Sequence, residues 1–332
     1  MPETVRDRIN NYLEDAIAAE RNFEDALHSF GKTGVQEPVR ALLAAAGDKA
    51  RTQHQRLTAL LEQRGGSPSA AKSALAHMLA FSTLTAQAGH EPGEKNTQHL
   101  IVTFGAAGAE QAMYQALAEA GAEAGDTAVV SLARQLQSEE ADDARQVWPL
   151  LRTSARNSFR EAVGAGHSPS DVLRSYLEDI IAAEKSFETQ LTAFSKEGDY
   201  APAQTAFAQH AKETRAQHER LTSRLEAIGG TTSTAKGILA QVFGAAPKLA
   251  QAGHDASERT TQNLMIAYAV ENAEMAMYEV FCAVAADAAD HETGHIGAEI
   301  QQQEKETAEK VWKLVGPAAR RSIQQVTLRK AS

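Results

Sequence analysis

Cysteine is nearly missing from this 332-residue chain. Cys282 stands alone, so no disulfide can close within it and no thiolate cluster can hold a metal. No apolar run reaches the ~18–20 residues that cross a bilayer. The opening, MPETVRDRINNYLEDAI, is charged from Glu3 onward and lacks the apolar stretch of a signal peptide. Positive charge is in deficit, with 33 Lys and Arg against 43 Asp and Glu and a formal net charge of −10. Nucleic acid and anionic membrane surfaces repel such a chain, so neither is an expected partner. P-loop, GxGxxG, GxSxG, HExxH and CxxC patterns are also missing, which leaves nucleotide, hydrolase and zinc-peptidase readings unsupported. What is present, 43% hydrophobic and 23% charged residues, is the composition of a folded soluble protein rather than a disordered one. The length fits two domains of ~150 residues, and the expected location is the cytoplasm.

The chain repeats itself. LEDAIAAERNFEDAL at 13–27 returns as LEDIIAAEKSFETQL at 177–191, and QHQRLTALLE at 53–62 as QHERLTSRLE at 217–226. Gly65-Gly66 returns as Gly229-Gly230, AQAGH at 86–90 as AQAGH at 250–254, EQAMY at 110–114 as EMAMY at 274–278, and Trp148 as Trp312. Every pair is offset by 164 residues (177 − 13, 217 − 53, 274 − 110), so two copies of one domain, 1–164 and 165–332, follow each other without insertions.

Each copy reads as all-α, rich in Ala, Leu, Glu, Gln and Arg, with Pro and paired Gly at the turns. Helices are predicted near 3–31, 37–64, 69–87, 93–122 and 126–156, then near 167–196, 201–228, 233–251, 257–288 and 292–324. Short turns make antiparallel hairpins of the first and second long helices and of the third and fourth. A short extra helix lies in the long connection between hairpins. Two hairpins with one long crossover form the ferritin-like four-helix bundle, here in tandem.

The apolar stripes of the second copy carry acids. Glu184 lies among Ile180, Ile181, Phe187 and Leu191; His210 and Glu213 are three apart on the next helix; Glu271 and Glu274 are three apart in VENAEMAMY; Glu304 lies between Ile300 and Val311. Five carboxylates in a dry core cost several kcal/mol each unless neutralised. Two bridged divalent ions neutralise such sets in bundles, and oxygen donors with one imidazole suit iron or manganese. The alternative is that several of these residues face solvent or pair along the helix surface.

In the first copy Glu20, Glu110 and Glu140 keep their places, but Ala46 replaces His210, Lys49 replaces Glu213 and Ala107 replaces Glu271. The expectation is a degenerate, metal-free site in which Lys49 joins a salt-bridge network with the three carboxylates. The alternative is a Lys49 that reaches solvent over partly wet carboxylates.

The segments AAEKSF (182–187), AFAQHAKETRAQHERL (206–221), TAKGILAQVF (234–243), VENAEMAMY (270–278) and QEKETAEK (303–310) resemble the YciE/YciF-type family of ferritin-like bacterial proteins. Its members are linked mainly to stress responses. The resemblance covers most of both copies and is weaker in the first. It implies a four-helix ferritin-like fold and a carboxylate-bridged di-metal site, usually assumed to be iron, with Glu184, Glu213, Glu271, Glu274 and Glu304 at ligand positions. His210 matches a motif position of the family. The ExxH pattern of the wider superfamily is missing, since Phe207 stands three before His210, Ala216 three after Glu213 and Thr307 three after Glu304. That departure argues against rubrerythrin-like or oxygenase chemistry. Family members are usually single domains that pair, so a tandem implies an intramolecular pseudo-dimer.

The remaining marked residues have structural readings. His54 and His218 read as surface or core hydrogen-bonding residues, His90 and His254 as loop residues, Tyr114 and Tyr278 as core tyrosines, Trp148 and Trp312 as packing residues, and Cys282 as a small buried hydrophobe. Tyr278 also stands where it can hydrogen-bond a ligand. The expected function is redox or peroxide chemistry, or metal handling, in stress protection. It would use two iron or manganese ions in the second domain and none in the first. Ferritin-type storage is disfavoured, because fused bundles do not obviously close into a shell. The competing class is a metal-free helical module for self-association or partner binding.

Overall fold

A computed structural model of the protein describes residues 3–33, 36–68, 92–231 and 254–331. The described residues form eight helices and no strand: α1 (Val5–Thr33), α2 (Glu37–Gln63), α3 (Pro92–Glu123), α4 (Thr127–Gly164), α5 (Pro169–Phe194), α6 (Ala201–Ala227), α7 (Ala256–Asp287) and α8 (His291–Ala331). They make two tandem four-helix bundles. The predicted crossover helices at 69–87 and 233–251, with His90, lie outside the described residues. The other predicted bounds agree within a few residues, except that α4 and α8 run on past 156 and 324. Ser158, Phe159 and Ala162 keep the buried stripe of α4 going until Gly164, and Ile323 and Val326 do the same in α8.

Local chemistry sets the helix ends. Asp126 caps α4 by accepting from Val129 N at 3.1 Å, and Ser168 caps α5 ahead of Pro169. Asp255 and Glu258 form a capping box at α7. Gly65 and Gly229 terminate α2 and α6 at φ +73° and +80°, a left-handed conformation that favours glycine, while Gly66 N and Gly230 N return to the carbonyls of Leu61 and Leu225.

Each bundle pairs its helices as two hairpins. The start of α2 lies by the start of α3, with Gln36 N to Asn96 Oδ1 at 3.5 Å, whereas the end of α2 lies by the start of α4 through Arg64 and Asp126. Asp199 with Thr260, and Arg224 with Asp290, repeat both relations in the second bundle. The end of each second helix and the start of each third therefore lie at opposite ends of the bundle.

The third helices, α3 and α7, are buried on nearly every face because they form the seam between bundles. Contacts across the seam are reciprocal: α3 packs on α7 and α8 while α7 packs on α3 and α4, and α1 meets α8 as α5 meets α4. This is the isologous pattern of a pseudo-twofold pair. A Cβ on Gly105 would stand 2.8 Å from Ala273 Cβ, and one on Gly108 2.7 Å from Asn272 Cγ, so glycine permits the close approach. Charges frame the seam through Arg152–Glu279, Arg320–Glu119 and Arg156–Asp287.

One side chain ties the halves without a counterpart. The guanidinium of Arg8 is fully buried and meets Asp255 at 2.7 Å, Glu3 at 2.6 Å and Glu258 at 3.2 Å. Val172 occupies the equivalent position in the second copy. No described helix is long and apolar enough to cross a membrane.

Candidate metal centre

Three helices of the second bundle bring carboxylates, and the fourth an imidazole, into its core. Helix α5 presents Glu184 within its apolar stripe, α6 presents His210 between Phe207 and Ala211, α7 presents Glu271 and Glu274 one turn apart, and α8 presents Glu304. All five side chains are buried, with Glu184, Glu271 and Glu304 wholly so. His210, Glu271 and Glu304 each offer a donor atom within 4.8 Å of the others. His210 Nε2 approaches Glu271 Oε1 to 2.5 Å, yet neither atom has hydrogen-bond geometry with any partner.

The unmet donors and acceptors define the cluster. His210 Nδ1 and Nε2, both carboxyl oxygens of Glu271 and of Glu274, and one oxygen each of Glu184 and Glu304 are buried without a hydrogen bond. Burial, reinforced by neighbouring carboxylates, pushes Glu184 up to about 8. The same causes, burial first, hold Glu271, Glu274 and Glu304 well above the usual carboxylate range. Burial also lowers His210, keeping its imidazole neutral and its lone pair available. Orphaned carboxyl oxygens beside a neutral imidazole match the needs of a divalent cation, whose charge would favour their ionised form, so the donor set fits a metal.

Two hydrogen bonds orient the outer oxygens. Tyr278 donates to Glu184 Oε1 and Gln217 donates to Glu304 Oε1. Tyr278 is thus both a core tyrosine and a partner of a candidate ligand. Glu213 differs from its sequence reading. At 37% exposure it sits at the rim rather than in the dry core, bonded to Gln209 at 2.9 Å and 3.9 Å from His210 Nδ1. It borders a cleft of about 380 Å³ that also reaches Gln217, Arg220 and Lys310.

The first bundle keeps the scaffold of this centre without its inner donors. Tyr114 donates to Glu20, Gln53 donates to Glu140 Oε1, and Glu20, Glu110 and Glu140 are buried and held above the carboxylate range, burial leading in each case. Lys49 does not sit among the three as the sequence reading has it. Its ammonium meets Asp143 at 2.9 Å and the Glu139 carbonyl at 2.7 Å, toward the edge of the bundle. All three carboxylates are buried, and Glu110 and Glu140 line a cavity beside Lys49.

A family model described as a domain of unknown function, DUF892, matches the chain twice in tandem, over residues 4–159 and 168–324. The chain belongs to that family. DUF892 is the family of YciF-type ferritin-like proteins. Neither a comparison with curated proteins nor one with solved structures finds a match. Within this tandem DUF892 chain the two glutamines, Gln53 and Gln217, are the residues that sequence reasoning missed. Their signal was the QHQRL and QHERL repeat, in which each glutamine stands directly before the histidine. His218 instead bonds Glu188 at 2.8 Å, and His254 lies 3.4 Å from Glu258. Trp148 and Trp312 pack at a tilt against Phe104 and Tyr268 within their own copies. Cys282 is half-buried, its thiol pushed up to about 11 by burial.

Proposed function

We propose that the second bundle holds a carboxylate-bridged pair of iron or manganese ions and serves redox chemistry toward peroxide or oxygen, or metal handling, in cytoplasmic stress defence. His210, Glu271 and Glu304 would hold one ion. Glu184 and Glu274 would contribute to holding its neighbour, and Glu213 at the rim would meet ions entering from the cleft. A bound pair supplies one-electron redox capacity, and the chain supplies what surrounds it. Tyr278 fixes one oxygen of Glu184 and leaves the other open, and Gln217 does the same for Glu304. Phe187, Val270 and Met277 are buried on the same helices and exclude water. The first bundle, with Ala46, Lys49 and Ala107 in place of three donors, is read as metal-free.

The observation that carries this reading is the set of buried donor atoms on His210, Glu184, Glu271, Glu274 and Glu304 that no protein group satisfies. Elemental analysis after loading with Fe(II) or Mn(II) tests it. The wild-type chain should retain two ions, and Glu274→Ala should retain none. A wild-type chain that binds no ion, and whose melting point ignores added iron and manganese, would support the metal-free helical module instead.

A further inference from the structure

The substitutions that dismantle the first-half ligand set also hollow it out. His210 and Glu271 fill the second core at their level, whereas Ala46 and Ala107 stand at the equivalent positions and line a cavity of about 380 Å³. Phe23, Leu27, Leu42 and Val147 give it an apolar side, and Gln53, Thr103 and Gln146 also line it. Glu110 and Glu140 line it as well, both buried, while the partly exposed Lys49 and Asp143 mark its mouth. Glu110 is 6% exposed, and its Oε1 has no hydrogen-bond partner.

Such a chamber selects its occupant by chemistry. An anion is disfavoured by the acidic rim of Asp142 and Asp143 and by the inner carboxyls Glu110 and Glu140, which would have to stay protonated beside it. A divalent ion finds neither the imidazole nor the second inner carboxylate of the other half, where Ala46 and Ala107 stand instead. Lys49 is already committed to Asp143 and to the Glu139 carbonyl, and Gln53 to Glu140 Oε1, which leaves Glu110 Oε1 as the inner acceptor without a partner. We propose that the first half binds a small organic ammonium ion, its alkyl part against Phe23, Leu27 and Leu42 and its N–H donors on Glu110 and Glu140. Burial first, then the charges of Glu140 and Glu20, hold Glu110 above its ordinary range; burial and Asp143 do the same for Glu140, and a bound cation favours the charged form of both. At ~30 Å³ per water-sized group, the volume admits a cation the size of butylammonium. This site stands apart from the second-half centre and does not depend on its metal.

Calorimetric titration of the full, chelator-treated chain with n-butylammonium chloride tests the proposal. Saturable binding of one butylammonium per chain is expected. Butanol, which lacks the charge, and tetramethylammonium, which lacks N–H donors, should bind about tenfold more weakly or worse. Glu110→Gln should lower the affinity about tenfold or more, and Ala46→Leu, which fills the cavity, should abolish binding. Glu274→Ala should leave it unchanged. The proposal is overturned if the wild-type chain gives no saturable heat, if butanol binds equally well, or if Glu274→Ala removes the binding. Unchanged affinity in Ala46→Leu also overturns it, and that variant decides the matter even if Glu110→Gln fails to fold.

Discussion

A carboxyl group buried in a helical core changes the protein's response to pH, and Glu20, Glu110 and Glu140 show the sign. Each is held above its ordinary pKa of about 4.3 by burial first and by its neighbours after that. A raised acid favours folding fully at pH below the ordinary value, and that contribution disappears as pH rises through the raised value. The chelator-treated chain should therefore lose melting temperature from about pH 5 upward. Replacing the three with glutamine should flatten that slope in scanning calorimetry, and an unchanged slope would contradict the burial. At this scale the sequence was informative where a residue's place on a stripe fixes its depth, as it does for Glu184, Glu271, Glu274 and Glu304. It was not informative for Glu213. A residue three positions from His210 sits about 60° around the helix, far enough to move from core to rim. Nor could it pair Lys49 with Asp143, a contact between different helices with no local signature.

Among the elements, α3 and α7 best show the reach and the limit of pattern reading. Capping residues, terminal glycines and the constant repeat made the helix inventory legible. The role of these two helices was hidden, because a helix buried on all sides has no polar face to give it a period. Their proximity rests on Gly105 and Gly108, where any side chain would strike Ala273 or Asn272. Gly105→Leu should separate the helices and destabilise the chain by about 1–3 kcal/mol, measured by denaturant unfolding. A variant as stable as wild type would mean that the seam is looser than described.

For the whole molecule, duplication turns what would be a two-chain contact into an internal one. The reciprocal packing of α3 on α8 and α4 on α7 keeps the symmetry, while the two halves have diverged in what their cores contain. Arg8 breaks the symmetry and joins the halves through Asp255 and Glu258 at the start of α7. Arg8→Ala removes the buried guanidinium and leaves Asp255 with Arg329 and Glu258 with His254 as their remaining ion-pair partners, and should cost about 3 kcal/mol or more in a two-state unfolding measurement. An effect within about 0.5 kcal/mol would assign the cluster to the surface instead. The unequal cores lead to the central claim, that one half carries a metal pair and the other does not. Anomalous diffraction at the iron or manganese edge, from crystals of the loaded full-length chain, tests it most directly. The account predicts two peaks among Glu184, His210, Glu271, Glu274 and Glu304, and none beside Glu20, Glu110 and Glu140. Peaks of equal strength in both halves, or none near His210, would contradict it.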